Sequence, residues 1–434
     1  MDTFVIDGGR RLEGSIRVFG AKNAALPLMA AALLTEEQVV LDDVPDLADI
    51  RNMKRLLAEL GCPPADAPPG SRRLTLGTVD PSQNHARYDI VKTMRASICA
   101  LGPTLASRGE ARVAMPGGCL IGDRPVDLHL RGLRALGAEV TLENGDIVAK
   151  APGGRLKGAR IFLGGNFGST VLGTANVLSA ATLASGTTVI ESAACEPEIV
   201  DLARLLTSMG AKIRGAGSPR ITVEGVEQLG GATHTVMPDR IEAGTLICAA
   251  AITNSVLTIE NCPIDSLMAV TDRLRVSGVH VETLSEDGPD RATCRVSSER
   301  VLKPIEVTTQ PFPGFPTDLQ AQLLALLCLS DGNSVVTEKI FPERFMHVPE
   351  LARMGARMHR EGATVVVSGV RRLRGAPVMA SDLRASASLV LAGLAAQGTT
   401  VIQRVYHLDR GYEQLETRLR ALGASIQRVD EAEL

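Results

Sequence analysis

One short pattern recurs six times along this chain: an amphipathic helix that ends at a glycine. The glycines follow one another at intervals of 76, 73, 68, 77 and 68 residues. They are Gly61, Gly137, Gly210, Gly278, Gly355 and Gly423. A glycine just past a helix end adopts the left-handed backbone that strains other residues, so each copy predicts a helix stop followed by a strand. Regular spacing of this length restricts the chain to stacked or clustered copies of one supersecondary unit.

A second pattern accompanies the first. It is a helix of small residues, a turn and a β-branched run, as in AATLASGTTVIE, AAAITNSVLTIE and LAAQGTTVIQ. These helices lack a polar face and are predicted to be buried on all sides, whereas the Thr/Val/Ile runs predict strands. The predicted fold class is α/β (α+β), with six units of two helices and several strands. Two globules of three units are favoured over one solenoid, which needs capping repeats that we do not find. Chance similarity is the remaining alternative.

Composition limits the function. The 434 residues carry a formal net charge of −3, with 45% hydrophobic and 22% charged residues, so we expect no nucleic-acid or membrane partner. No apolar run is long enough to cross a bilayer and the first residues show no secretory signal, so we expect a cytoplasmic protein. The eight cysteines show no C-x-x-C spacing, so we expect no metal and no cofactor. Cys248 and Cys328 lie in apolar helical segments and are predicted to be buried.

Residues that depart from the repeat pattern are the candidates for chemistry. Lys22 and Asn23 open one small-residue helix and Arg95 opens another. A helix N-terminus attracts anions, and a cation beside it strengthens that attraction. A solvated lysine beside a helix cap, or a structural arginine, is the alternative at each position taken alone.

Two further groups stand out. In MPGGCLIGDRPVDLHL, Cys119 lies among glycines, five residues before Arg124. The C-terminal half holds an aspartate and arginines at the starts of apolar helices, where packing explains them poorly. They are Asp318 in FPTDLQ, Arg344 in PERFMH, Arg384 in DLRAS and Arg410 in DRG. Several such cations brought together would bind carboxylate and phosphate groups.

These segments resemble a known family. MPGGCLIGDRPVDLHL, GAKNAALPL, FPTDLQAQ, RFMHVPELARMGA, DLRASASLVLAG and YHLDRGYEQLETRLRALGA are similar to UDP-N-acetylglucosamine 1-carboxyvinyltransferases, which are enolpyruvyl transferases, and the resemblance covers essentially the whole chain. It implies two globular domains, each an inside-out α/β barrel of three βαβαββ-type units, with the active site in the cleft between them. The implied domains are 22–236, and 1–21 together with 237–434. The chain would cross between them near Gly20-Ala21 and within 233–239.

The resemblance also implies the reaction. The enolpyruvyl group of phosphoenolpyruvate moves to the 3′-hydroxyl of UDP-N-acetylglucosamine and phosphate is released, which is the first committed step of peptidoglycan synthesis. The route is addition and then elimination, through a tetrahedral ketal phosphate. These two small molecules are the expected partners.

By the same resemblance, each candidate residue receives a role. Asp318 accepts the 3′-hydroxyl proton, although a plain N-cap role for the helix that follows is the alternative. Cys119 is the proton donor or transient nucleophile toward phosphoenolpyruvate and the thiol that fosfomycin alkylates. Lys22, Arg124, Arg384 and Arg410 surround phosphoenolpyruvate, with Lys22 and Arg410 counted as catalytic; Asn23, Arg95, Arg124, Pro125, Val126, Asp127, Leu128, Asp318 and Ile340 contact the UDP-sugar, and Arg344 completes the substrate-binding set.

One segment departs from the family pattern. Residues 164–174, GGNFGSTVLGT, lack the lysine and the Ser-Val-Gly run that the family places against the uridine phosphates. Two alternatives therefore accompany the main interpretation: a transferase similar to enolpyruvylshikimate phosphate synthase, and a catalytically silent paralogue that binds UDP-sugars as a regulator. The Cys119 loop and RFMHVPELARMG disfavour the first alternative. The joint presence of Lys22, Cys119, Asp318 and Arg410 disfavours the second.

Overall fold

The computed structural model describes residues 2–68, 70–116, 126–299 and 301–433. The strands are Asp2–Asp7 (β1), Glu13–Arg17 (β2), Val39–Asp42 (β3), Leu74–Leu76 (β4), His85–Ala86 (β5), Glu110–Ala114 (β6), Glu139–Glu143 (β7), Asp146–Lys150 (β8), Arg160–Phe162 (β9), Thr187–Glu191 (β10), Lys212–Arg214 (β11), Arg220–Glu224 (β12), Ala232–Thr235 (β13), Val256–Cys262 (β14), Val279–Gly288 (β15), Arg291–Ser298 (β16), Glu306–Thr308 (β17), Asn333–Thr337 (β18), Arg357–Glu361 (β19), Thr364–Ser368 (β20), Pro377–Met379 (β21), Thr399–Gln403 (β22) and Ser425–Asp430 (β23).

The α-helices are Lys22–Ala31 (α1), Ala48–Glu59 (α2), Tyr88–Val91 (α3), Leu101–Arg108 (α4), Asp127–Ala135 (α5), Val171–Ala181 (α6), Pro197–Ser208 (α7), Arg240–Ile252 (α8), Met268–Ser277 (α9), Gln320–Leu327 (α10), Val348–Arg353 (α11), Leu383–Ala395 (α12) and Leu415–Ala421 (α13). Short 3₁₀ helices include Arg95–Ala100, Thr317–Leu319 and Val405–Arg410.

The chain divides into two compact units. The described residues of unit 1 are 2–19, 238–299 and 301–433, and those of unit 2 are 20–68, 70–116 and 126–237. Each unit has its own cluster of buried apolar side chains. Unit 2 is thus inserted between two segments that together form unit 1.

The described residues of unit 1 form three four-stranded sheets. Their strand orders are β17-β18-β20-β19, β2-β14-β16-β15 and β21-β22-β1-β23. In each sheet the first two strands pair in parallel and the other two join antiparallel. The first sheet is built from consecutive elements, β17-α10-β18-α11-β19-β20, which is the βαβαββ unit. The other two sheets take β2 and β1 from the N-terminal segment.

Unit 2 repeats the same plan. Its sheets have the orders β5-β6-β8-β7, β9-β10-β12-β11 and β13-β3-β4 among the described residues. β13 lies at the end of the unit and pairs in parallel with β3 near its beginning, so the last strand completes the first sheet.

The small-residue helices lie at the centre of each unit. Every residue of α8 is buried, and α10 and α12 pack against α8 and against each other. In unit 2, α1, α4 and α6 occupy the equivalent places and are mostly buried. The prediction that these helices are buried on all sides is confirmed. In unit 1 these helices contact all three sheets: α8 contacts β14 and β16, α10 contacts β18, and α12 contacts β1 and β22.

The six repeat glycines confirm one prediction and correct another. All six have positive φ, between 71° and 107°, as a helix stop requires. A strand follows within two residues in five copies, but not after Gly61, where CPPADAPPG intervenes. Among the described residues before β4, Pro64 forms one isolated bridge to Leu76 and nothing longer. Proline lacks the N–H that a strand ladder needs, so Pro63 and Pro64 remove this strand, and the described residues of this sheet form three strands.

Candidate active site

Asp318 lies in the 3₁₀ turn that leads into α10 and joins two arginines of unit 1. Its Oδ1 accepts from Nη1 of Arg344 at 2.7 Å and its Oδ2 accepts from Nη2 of Arg384 at 2.9 Å. The side chains of Arg344 and Arg384 are only 7% and 3% exposed. The structure thus brings together three residues that lie 26 and 66 positions apart in the sequence.

This arrangement decides the charge on Asp318. Burial alone would raise the pKa of its carboxyl, but the guanidinium groups of Arg384 and Arg344 outweigh burial and hold that pKa well below its usual range. Asp318 is therefore an anion near neutral pH. It can accept a proton, but it becomes a strong base only when one arginine turns to another anion.

The backbone at Ile340 is fixed by a neighbouring carboxylate. Glu338 is 0% exposed, and its Oε1 accepts from the backbone N–H of Ile340 at 2.8 Å. Its Oε2 accepts from Thr317 Oγ1 at 2.8 Å, and Thr317 Oγ1 in turn accepts from Arg344 at 3.0 Å. Ile340 is therefore connected to the Asp318–Arg344 pair through Glu338, a residue that the sequence patterns did not single out.

A buried histidine, His347, lies within electrostatic range of Arg344. His347 is 1% exposed, and its Nε2 finds no hydrogen-bond partner within the described residues. Burial lowers the pKa of His347 to about 4; Asp382 opposes that change and Arg344 adds to it. His347 is consequently neutral at pH 7.

Arg410 ends the 3₁₀ helix Val405–Arg410 and is half-buried. Its neighbour Asp409 accepts from Nη1 of Arg428 at 3.1 Å. Burial lowers the pKa of His407, and the charge of Arg410 lowers it further. Arg410 therefore lies within electrostatic range of His407, on a turn tied to β23 by Arg428.

In unit 2, Lys22 and Asn23 begin α1. Lys22 is 8% exposed, and its Nζ lies 3.1 Å from Oδ2 of Asp49, which is 3% exposed. Asp49 is in the first turn of α2 and shares the buried face with Ile50 and Met53. A buried acid thus holds the ammonium group in place.

Arg95 begins its 3₁₀ helix beside a second buried histidine. Burial lowers the pKa of His129 to about 4, and the charge of Arg95 lowers it further. Nδ1 of His129 lies 3.0 Å from Nδ2 of Asn176, which also donates to the Ile98 carbonyl at 2.8 Å. A neutral imidazole with Nδ1 as acceptor satisfies this geometry.

The remaining predicted contacts are placed only in part. Val126 is buried, Asp127 is exposed and Leu128 is half-buried at the start of α5. Cys119, Arg124 and Pro125 lie outside the described residues, so their roles stay predictions.

The unusual 164–174 segment forms a tight turn before α6. The backbone N–H of Gly165 donates to Gly168 O at 2.8 Å, and the N–H of Gly168 donates to Gly165 O at 3.2 Å. Thr170 then caps α6 by accepting from Gly173 N at 3.2 Å. The phenyl ring at the tip, Phe167, is 62% exposed.

Other sequence expectations concern thiols, metals and membranes. Cys248 and Cys328 are buried, as predicted, and burial raises the pKa of each thiol to about 12. Within the part of the chain that the structure describes, no cluster of three His, Cys, Asp or Glu side chains could hold a metal ion. None of the described helices combines the length and apolarity needed to span a membrane.

Sequence reasoning missed several of these groups. Asp49 could have been found from the sequence, because an acid on the apolar face of an amphipathic helix needs a partner. Gln322, whose Nε2 lies 3.1 Å from the hydroxyl oxygen of Tyr412, could also have been found, because it is an amide inside the buried helix α10. Glu338 and Tyr412 had no such signal, because Thr317 and Arg384, through which they reach the site, lie 21 and 28 positions away in the sequence.

Comparison with known proteins places this chain in a family. The model of the family "EPSP synthase (3-phosphoshikimate 1-carboxyvinyltransferase)" matches residues 6–419. A UDP-N-acetylglucosamine 1-carboxyvinyltransferase of Anaeromyxobacter sp. is 53% identical over 99% of both chains. One from Nitratidesulfovibrio vulgaris is 54% identical over 99% of this chain and all of its own length. The chain belongs to the enolpyruvyl transferase family. The predicted family is confirmed.

Solved structures confirm the enolpyruvyl transferase fold. The enolpyruvyl transferase NikO from Streptomyces tendae superposes with a TM-score of 0.87 over 99% of each chain, at 24% identity. EPSP synthase from Acinetobacter baumannii gives a TM-score of 0.76 over 99% of this chain and all of its own, at 18% identity. At these identities the similarity concerns the fold alone.

Proposed function

We propose that this enolpyruvyl transferase moves the enolpyruvyl group of phosphoenolpyruvate to the 3′-hydroxyl of UDP-N-acetylglucosamine and releases phosphate, in the cytoplasm, for peptidoglycan synthesis. The observation that carries the proposal is the agreement among full-length relatives. Those at 53% and 54% identity bear the name of this activity. We propose the domains 22–236, and 1–21 with 237–434; the division into units 2 and 1, with boundaries one or two residues away, supports this proposal.

The principal alternative is a shikimate-type acceptor. The matching family model is named for 3-phosphoshikimate 1-carboxyvinyltransferase, and one superposing structure is an EPSP synthase. That structure is only 18% identical, however, whereas the UDP-sugar transferases are about three times as similar in sequence. The higher sequence identity favours UDP-N-acetylglucosamine over a shikimate-type acceptor.

The proposal assigns the polar groups of each unit to a substrate. In unit 2, Lys22 provides a fixed cation for phosphoenolpyruvate, and Asn23 and Arg95 provide donors at helix starts for the UDP-sugar. In unit 1, Arg384 and Arg410 bind phosphoenolpyruvate, because guanidinium forks match carboxylate and phosphate. The Asp318 carboxylate faces the acceptor hydroxyl.

The chemistry follows from these assignments. In the addition step C3 of phosphoenolpyruvate gains a proton, and the sugar oxygen bonds to C2 as Asp318 takes the hydroxyl proton. In the elimination step C3 loses a proton, the C2–O bond to phosphate breaks and the double bond re-forms. The proposal gives the C3 proton transfer to Cys119. Arg344 keeps Asp318 oriented when Arg384 engages phosphoenolpyruvate.

A direct assay tests the proposal. The purified chain is incubated with phosphoenolpyruvate and UDP-N-acetylglucosamine, with phosphoenolpyruvate and shikimate 3-phosphate, or with phosphoenolpyruvate alone. Phosphate release and the product mass are measured. We expect release and an enolpyruvyl-UDP-sugar only in the first mixture. Turnover in the second mixture would establish the shikimate-type alternative. Absence of turnover in every mixture, with binding of UDP-N-acetylglucosamine detected by calorimetry, would establish the silent paralogue.

A further inference from the structure

We propose that Tyr412 is a positioning residue that fixes the guanidinium of Arg384 beside Asp318; this rests on the function proposed above. Tyr412 is 1% exposed, and its hydroxyl oxygen lies 3.2 Å from Nη1 of Arg384. The same oxygen lies 2.9 Å from Oγ1 of Thr245 and 3.1 Å from Nε2 of Gln322. One phenol group therefore connects α8, α10 and α12, the three central helices of unit 1.

The direction of each hydrogen bond follows from counting protons. Thr245 has one hydroxyl hydrogen and donates it to the Ile241 carbonyl at 2.7 Å. Tyr412 must therefore donate its own hydrogen to Thr245. The lone pairs of the phenol oxygen are then available to accept from Arg384 and Gln322. Every donor and acceptor at this oxygen is used in a single arrangement.

Burial makes this arrangement costly to disturb. Arg384, Thr245 and Gln322 are 3%, 3% and 0% exposed, so water cannot readily replace a lost partner. The ring of Tyr412 also lies under the guanidinium, with Cζ of Arg384 5.6 Å from its centroid. Tyr412 thus contacts Arg384 through both its ring and its hydroxyl.

The consequence for the site is geometric. Nη1 of Arg384 is held by Tyr412, and Nη2 donates to Asp318. Without the hydroxyl, the guanidinium can rotate, and its alignment toward both Asp318 and an incoming anion is lost. A buried tyrosine can also be simple core packing, so the test must separate positioning from stability.

The kinetic test uses Tyr412→Phe, which keeps the ring and removes only the hydroxyl. We expect kcat/KM for phosphoenolpyruvate to fall about tenfold, the effect of one hydrogen bond to a charged group. KM for UDP-N-acetylglucosamine should change less than about twofold, because Arg384 is assigned to the other substrate. Tyr88→Phe, the same change at a tyrosine that is 58% exposed, serves as the control and should match the wild type.

Position 245 supplies an independent variant. Thr245→Val removes the acceptor for the Tyr412 hydrogen and should lower kcat/KM for phosphoenolpyruvate as Tyr412→Phe does. Thr245→Ser keeps a hydroxyl oxygen and should retain the wild-type kcat/KM. An equal rise in KM for both substrates in Tyr412→Phe, or an unchanged kcat/KM for phosphoenolpyruvate, would overturn the proposal.

A stability measurement keeps the proposal testable even without turnover. Tyr412→Phe, Arg384→Lys and the double variant form a cycle of unfolding equilibria in urea. A coupling of about fivefold in the unfolding constant is expected for side chains in direct contact. If the wild type fails to turn over either acceptor, the proposed function fails while this cycle still reports on the contact. Additive effects would refute the contact itself.

Discussion

The central helices of the two units begin differently. In unit 1 each start carries an aspartate: Asp239 caps α8, Asp382 caps α12 and Asp318 precedes α10. In unit 2, α1 begins with Lys22 after an Ala21 without a side-chain cap, and the 3₁₀ helix that leads into α4 begins with Arg95. One repeated architecture therefore presents acidic helix starts in one unit and basic or neutral starts in the other.

This difference indicates that the two units have different roles in binding and catalysis. Carboxylates neutralise the positive ends of the unit 1 helices, so anion binding there depends on arginines held by those acids. The starts of α1 and of the 3₁₀ helix before α4 have no capping carboxylate and keep their positive potential, to which Arg95 adds; Lys22 adds less, because the carboxylate of Asp49 pairs with it. Unit 1 is suited to supply a base beside anchored cations, and unit 2 is suited to attract phosphate groups.

The largest effect is expected at the acidic start of α10. Asp318→Asn removes the proposed base and the charge shared by two buried arginines. We expect kcat to fall by about 10²–10⁴-fold and the free energy of unfolding to fall by about 3–5 kcal/mol. Turnover and urea unfolding are measured beside Asp331→Asn, an exposed aspartate beyond the end of α10 that should change neither. A kcat within tenfold of wild type would remove Asp318 from the mechanism.

A comparable stability loss is expected in unit 2 when the partner of its buried cation is neutralised. Asp49→Asn removes the charge 3.1 Å from Lys22, and we expect about 3 kcal/mol of destabilisation. Asp46→Asn is the matched control, since Asp46 pairs with Arg51 at 2.6 Å but is 71% exposed, so its loss should stay below about 1 kcal/mol. Equal losses in urea unfolding would show that burial does not strengthen the Lys22 pair.

Lowering the pH should decrease the stability of unit 2, because His129 is buried in its neutral form. The folded state holds its pKa at about 4, below the usual value of about 6.5, so unfolding takes up a proton between these pH values. Stability is therefore full above pH 6.5 and falls as pH drops toward 4, by about 3 kcal/mol at most. His129→Gln keeps an acceptor for Asn176 and should flatten this slope. Parallel curves of unfolding free energy against pH for the two proteins would contradict the assignment.

The smallest effect is expected on the free energy of unfolding when a side chain that caps a helix N-terminus is removed. Asp382→Ala removes a cap that accepts from two backbone N–H groups, at 2.9 and 3.1 Å, and should cost about 1–2 kcal/mol. Thr170→Ala removes one bond at 3.2 Å and no charge, so about 0.5–1 kcal/mol is expected. Asp382→Asn separates the contribution of the cap hydrogen bonds from that of the negative charge, because asparagine keeps the accepting oxygen but carries no charge. If Thr170→Ala costs more in urea unfolding, the acidic starts are not the stronger caps.

Local patterns predicted the fold well but predicted the site only in part. The helix-ending glycines and the buried small-residue helices depend on local backbone and composition, which one stretch of sequence displays. The prolines after Gly61 were equally visible, and the strand predicted there was wrong because Pro63 and Pro64 lack the N–H groups that a strand ladder needs. The contact of Tyr412 with Thr245 spans 167 positions and exists only once three helices have packed, so no local pattern could indicate it.

The insertion of unit 2 into unit 1 also has a consequence during synthesis. β1 carries the core side chains Phe4 and Ile6, yet its partners β22 and β23 come from residues 399–403 and 425–430. At roughly 5–20 residues per second, the ribosome takes about 20–80 seconds to deliver them. Unit 2 can complete its sheets in that time, while an apolar strand with two open edges remains exposed on the nascent chain. We therefore expect the first segment of the chain to be the one that chaperones must shield longest.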